Sequence, residues 1–213
     1  MNEKIIEALN WRYATKIFDP NKKISQKDWS TLEEALRLAP SSYGLQPWRF
    51  IVVQNPELRK KLRAVAWNQP QVTDASHFVV VTTKDKIDEA FVDSYVQKIA
   101  TVRGIDKSSL DGFRNSMVGD VVKGPRASKI QHWTQRQAYI AVGFLLETAA
   151  LLHIDACPME GLDAAAFDKI LKLEGTGWGS VAMVGLGYRS SKDQLASAKK
   201  VRFDKSQVIQ VID

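Results

Sequence analysis

The chain of 213 residues carries 30 Lys and Arg against 24 Asp and Glu, a net charge of +6, and is 45% hydrophobic. That length and apolar content suit one sizeable core, read as a single domain over residues 1–213. No window approaches the roughly 18 apolar residues of a membrane span, the opening Met-Asn-Glu-Lys lacks an export signal's apolar stretch, and the one cysteine, Cys157, cannot close an internal disulfide; a soluble, cytoplasmic protein is therefore expected.

In chain order, Ile5, Ile6 and Leu9 share one face of a first helix, and Asn10 to Pro20 follows as an irregular basic segment carrying Arg12 and Lys16. Ser25 reads as an N-cap with Asp28 three residues on, opening a helix whose stripe of Trp29, Leu32, Leu36 and Ala39 ends at Pro40. The loop Pro40 to Pro47 leads to a short strand at Phe50 to Val53, and Pro56 opens a helix through Leu58, Leu62 and Val65. Phe78 to Thr83 is a continuous apolar run, the pattern of a strand buried on both faces, and is expected at the centre of a sheet.

Helical periodicity returns at Ile87, Phe91 and Tyr95 and, more weakly, between Leu110 and Val122, until Gly124-Pro125 breaks it. The longest helix is expected from about Ser128 to His153, apolar over most of its circumference, with Ala138, Ala141, Gly143, Ala149 and Ala150 permitting close approach of another helix, either within the chain or from a second subunit. A strand at Ile154 to Cys157, a helix from Asp163 to Leu173, a strand from Ser180 to Leu186 and a last strand from Val208 to Ile212 complete an α+β pattern.

The charges are interspersed, and the densest basic run, Lys199, Lys200 and Arg202, is enough for one phosphate but not for a nucleic-acid track, so a small phosphorylated ligand is the preferred partner. Gly175-Thr-Gly-Trp-Gly precedes its strand and has the wrong spacing for a dinucleotide loop, while Gly185-Leu-Gly-Tyr-Arg-Ser lacks the third glycine. His153, Asp155 and Cys157 would share a strand face as metal ligands, but no fourth ligand is evident; no metal is expected, and Cys157 reads as a buried, inert thiol. Few protein groups remain for chemistry, which points to a cofactor.

Four segments spanning almost the whole chain resemble the nitroreductase family of FMN enzymes, near its oxygen-insensitive NAD(P)H nitroreductase and dihydropteridine reductase branch: Arg12-Tyr13-Ala14-Thr15-Lys16, Pro40-Ser41-Ser42-Tyr43-Gly44-Leu45-Gln46-Pro47-Trp48, Pro158-Met159-Glu160-Gly161 and Lys200-Val201-Arg202, with Asn68 at the family spacing. The resemblance implies an α-β-α sandwich with a mainly antiparallel sheet and a C-terminal strand exchanged with the partner of a homodimer. It implies Arg12, Lys200 and Arg202 on the FMN phosphate, a group of roughly two negative charges, with Tyr13 and Ala14 beside them. It puts Lys16 at the flavin N1 and O2 edge, Asn68 on the polar edge of the ring, Pro158 beside it, and Glu160 and Gly161 at N5. Ser41 and Ser42 are implied to come from the second subunit, and Pro40 and Gly44 of the same loop are implied to bind the cofactor.

The implied activity is ping-pong hydride transfer from NAD(P)H through FMN to a nitroaromatic, quinone or similar small acceptor, with Phe113, Met117 or Trp133 over the flavin. Ala14 stands where relatives often carry serine and Gln71 where they often carry lysine, and Tyr43 and Gly44 also depart from the branch. Dehalogenation or flavin modification on the same fold, and a noncatalytic anion or nucleic-acid binding domain, are the rival readings.

Overall fold

The apolar run at Phe78 becomes β2 (His77–Lys84), hydrogen-bonded along both edges in the computed structural model, which describes residues 1–212. Its neighbours are β1 (Trp48–Val52) and β4 (Trp178–Gly187), and β3 (Asp155–Met159) pairs with β4, giving the order β1-β2-β4-β3 with every pair antiparallel. Because successive side chains point to opposite faces, β2 and β4 serve two cores. Val79, Val81, Val184 and Leu186 meet one helical layer, whereas Phe78, Val80 and Met183 meet the other.

The first layer is α2 (Gln26–Leu38) and α7 (Ile130–Leu151), with α1 (Asn2–Trp11) against α7. Ser25 does cap α2: its hydroxyl accepts from the Asp28 amide at 3.1 Å. Trp29, Leu32 and Leu36 then pack with Ala138, Ala141, Leu145 and Ala149 of α7, each buried large side chain contributing about 1.5–3 kcal/mol. The second layer is α3 (Pro56–Ala64), α4 (Gln71–Asp74) and α8 (Ala164–Ile170), supplying Leu62, Val72 and Phe167. Asn55 caps α3 by accepting from the Leu58 amide at 2.9 Å. The protein is thus an α+β, α-β-α sandwich. A third cluster joins α5 (Glu89–Arg103), α6 (Asp111–Met117) and the turn Val118–Val122 to the start of α7 through Val92, Val96, Met117, Val121 and Ile130.

Several expectations change. The tail does not form a strand at Val208 to Ile212: α9 (Lys205–Val208) makes one helical turn, and residues 209–212 pair with no strand among the described residues. The outer side of β3 is met by Ala14, which bridges Ala156 in parallel. The basic segment after α1 is therefore less irregular than its composition implied. Met117 and Trp133 are buried in the third cluster, and of the three residues expected over the flavin only Phe113 is exposed.

The small residues of α7 pack within the chain, while Ile140 and Phe144, 41% and 45% exposed, share a different face with Gly143, which has open space around it. Ile6 and Leu9 of α1 are exposed, and Ala8 is the residue turned inward. Among the described residues no helix is long and apolar enough to cross a membrane.

Candidate functional site

Asp193 draws the two ends of the chain together. Its Oδ2 accepts from Tyr13 Oη at 2.9 Å, from the Lys16 amide at 2.8 Å and from the Ile17 amide at 3.0 Å, and its Oδ1 accepts from the Leu195 amide at 3.1 Å. Burial works to raise the Asp193 pKa, but these hydrogen bonds to the ionised form outweigh it and hold the carboxyl below its ordinary value. Burial and the same carboxylate push the Tyr13 phenol up to about 12.

Beside this clamp, Arg189 binds Asp155: its Nε lies 2.8 Å and its Nη2 2.6 Å from Oδ1, and its amide donates to Oδ2 at 2.7 Å. Its guanidinium also lies over the rings of Trp11 and Tyr13, 4.2 Å and 4.6 Å from their centroids. The Asp155 and Arg189 charges are therefore satisfied by each other, and neither is free for a ligand or a metal. His153 adopts φ 54° in the turn before β3, so it does not share a strand face with Asp155 and Cys157. Cys157 is buried, and burial raises its thiol pKa above the ordinary value.

The clamp walls a cavity of about 540 Å³ lined by Arg12, Tyr13, Ala14, Lys16, Lys200 and Arg202, together with Lys199 and Arg189. Arg12, Lys16, Lys200 and Arg202 have no carboxylate partner among the described residues. Lys200 Nζ donates to the Arg12 carbonyl, which brings its charge close to the Arg12 side chain. Burial first, and then Arg202, lowers the Arg12 pKa; burial, Arg12 and Arg202 lower that of Lys200. A concave group of mutually repelling cations is the electrostatic complement of a multiply charged anion.

Glu160 and Gly161 follow β3 directly. Gly161 is buried beneath Trp67: a Cβ there would meet the Trp67 ring at 2.7 Å and the Gln69 amide nitrogen at 3.0 Å. Its carbonyl accepts from Gln69 Nε2 at 3.0 Å, and Tyr139 Oη donates to the Glu160 carboxylate. Trp67 and Asn68 have φ 51° and 52°, and Asn68 Oδ1 accepts from Arg63 Nε at 3.0 Å. Gln71 Oε1 is buried without a hydrogen-bond partner, and Pro158 is half-buried on β3.

The loop Pro40 to Gly44 lies elsewhere in the chain. Gly44 has φ 72° and sits so close to the Tyr95 hydroxyl that a Cβ would lie 2.1 Å from it; the Ser42 amide donates to Gln137 Oε1 at 2.8 Å, and Ser41 Oγ accepts from the Gln46 amide at 3.0 Å. None of Pro40, Ser41, Ser42 or Gly44 lines the Arg12 cavity. Sequence reasoning missed Asp193, Arg189, Trp67 and Tyr139. Only Asp193 carried a local signal, as the capping residue of the turn Gln194–Ser197, and that signal says nothing of Tyr13 or Lys16.

The family model described as "Nitroreductase family" matches residues 9–188. A Staphylococcus epidermidis protein named as an NAD(P)H nitroreductase is 40% identical, with 100% of this chain and 99% of that protein covered. The Bacillus subtilis protein YfkO, named likewise, is 36% identical over 89% of this chain and 90% of its own. Among solved structures, a nitroreductase from Exiguobacterium sibiricum in complex with FMN has a TM-score of 0.81 at 21% identity, covering 98% of this chain and 97% of that one. The B. subtilis nitroreductase ydfN has a TM-score of 0.86 at 20% identity, covering 100% of both chains. With its sandwich in place and the match running through all four strands, the chain belongs to the nitroreductase family.

Proposed function

We propose that this chain is a single-domain, homodimeric, FMN-dependent NAD(P)H oxidoreductase acting on nitroaromatics, quinones or related small acceptors. The observation that carries the proposal is the convergence of Arg12, Lys200 and Arg202, from opposite ends of the chain, on one cavity without a carboxylate partner among the described residues. The residues fit FMN in other respects as well. Gly161 has no Cβ and is covered only by the exposed Trp67 ring and the Gln69 amide, and Gln71 Oε1 is a buried acceptor still lacking a donor.

Bound FMN would supply hydride transfer between NAD(P)H and the acceptor. Arg12, Lys200 and Arg202 would hold its phosphate, with Tyr13 and Ala14 forming the adjoining wall. Lys16, exposed and free of ion pairs among the described residues, would place a positive charge where the reduced ring gains a negative one. Asn68, Pro158, Glu160 and Gly161 would line the ring.

Dimer formation is supported by surface area. The chain exposes 12817 Å², whereas a monomer of 23.9 kDa is expected to expose about 9,900 Å². The excess includes an apolar tail, with Val201 and Phe203 84% and 77% exposed, and the Ile140 and Phe144 face of α7. A second subunit covering these surfaces would be placed to supply Pro40, Ser41, Ser42 and Gly44.

An absorbance spectrum of the purified protein, before and after anaerobic NADH or NADPH, tests the reading. Flavin bands that bleach support it; a colourless protein that takes up no added FMN rejects it in favour of a noncatalytic anion-binding domain.

A further inference from the structure

A second basic cavity, of about 410 Å³, opens between the end of β1, the start of α3 and the start of β2, lined by Lys23, Arg59, Lys60, Thr73, Ser76 and His77. It shares no residue with the Arg12 cavity. Arg59 forms its base and is only 7% exposed. Its guanidinium donates Nε to the Val53 carbonyl at 2.7 Å, Nη1 to Ala75 at 2.6 Å and Nη2 to Ser76 at 3.2 Å. All three acceptors are neutral, and three bonds leave part of a five-donor group unused. No carboxylate among the described residues pairs with it.

A buried cation surrounded only by carbonyl dipoles keeps its full charge, and the desolvation penalty is only partly offset. Of the neighbouring carboxylates, Glu57 pairs with Lys60 at 2.8 Å and Asp74 accepts from the Thr73 hydroxyl at 2.7 Å, and neither bonds to Arg59. Lys23 is exposed at the rim and has no ion pair among the described residues. His77 stacks on Trp29, ring centroids 4.1 Å apart, with Nδ1 3.1 Å from Ser76 Oγ. Burial, then Arg59 and Lys23, lowers its pKa, so near neutral pH the ring is an uncharged hydrogen-bonding group at the wall.

We propose that this cavity is a second anion site that takes the phosphoryl group of a small phosphomonoester. A dianion matches Arg59 and Lys23 together, whereas a carboxylate would neutralise only one of them. The volume exceeds that of a bare phosphate and leaves room for a short organic body. Pro56 at the first turn of α3 lines the same cavity, so the positive end of that helix dipole adds to the field.

The chain has three histidines, and only His77 lines this cavity. The FMN-loaded protein, with the Arg12 cavity filled, is therefore titrated with glycerol phosphate at constant ionic strength while the imidazole NMR signals are followed. The expected result is a saturable shift of His77 alone, weakened about tenfold by Lys23→Ala, a loss of roughly 1.4 kcal/mol. Inorganic phosphate is expected to saturate more weakly than the ester, and acetate not to saturate. Because Arg59→Met risks the fold, exposed Lys23 carries the mutational test. Absence of saturation into the millimolar range, equal shifts at His132 and His153, indifference to Lys23→Ala, or acetate binding as tight as the ester's would each overturn the proposal. Should the protein fail to retain FMN, the His77 signal still reports this cavity alone, so the two proposals fail separately.

Discussion

Across 177 residues of sequence, the Asp193 carboxylate accepts the Lys16 amide at 2.8 Å. With Tyr13 Oη and the Ile17 amide on the same oxygen, this one side chain fixes the course of the segment that walls the Arg12 cavity. Asp193→Ala would leave these donors unpaired at a position only 5% exposed and is expected to cost about 3 kcal/mol, read as a lower urea midpoint at about pH 7. The pH dependence has a definite sign. The folded pKa is depressed, so the stabilisation is complete above the unfolded value near about 3.9 and is lost as pH falls through the lower folded value. The gap between parent and variant should therefore close in acid.

Burial first, and then the neighbouring cations of that cavity, lower the pKa values of Arg12 and Lys200; the cations repel one another when no anion is present. Lys200→Ala and Arg202→Ala are each expected to weaken FMN binding about tenfold or more in a fluorescence titration, with a smaller dependence on salt. Arg202→Ala should at the same time stabilise the FMN-free protein, since it removes a like charge. Lys16→Ala, by contrast, should chiefly lower the flavin midpoint potential measured against a reference dye. Equal FMN affinity in Lys200→Ala, Arg202→Ala and the parent would remove the phosphate role.

Gly161→Ala places a methyl group 2.7 Å from the Trp67 ring. Trp67 is 81% exposed and can swing into solvent, so folding stability should change by less than about 1 kcal/mol. Flavin binding should be lost while the Trp67 emission shifts to the red. Unchanged flavin retention would show that nothing need approach Gly161.

Phe144→Asp, on the exposed face of α7, puts a charge where the partner subunit is proposed to pack. Sedimentation should give a monomer, and the purified variant should lack flavin because Ser41 and Ser42 no longer reach the site. A flavin-loaded monomer would contradict the shared site.

Local patterns carried much of the fold. The Ser25 cap, the helix start at Pro56 and the buried strand at Phe78 were legible because each depends on neighbours a few residues away. The four motif segments carried the resemblance for the same reason: the residue types and their order are written in the chain. The apolar tail from Val208 to Ile212 reads as a strand, but a strand also needs an edge to pair with, and within the chain residues 209–212 pair with none among the described residues. Met117 and Trp133 misled because an aromatic or thioether side chain suits a ligand pocket and a core equally well.

The sequence by itself determined the α+β alternation, the family and the supply of cations, since periodicity, caps and motif order are local properties. Only the tertiary structure decided that Asp193 would tie Tyr13, Lys16 and Ile17 together, that Arg189 would be consumed by Asp155, and that Arg12 would meet Lys200. Those pairings depend on the three-dimensional course of the backbone, and among equally charged side chains the sequence does not distinguish one that finds a partner from one left to hold a ligand.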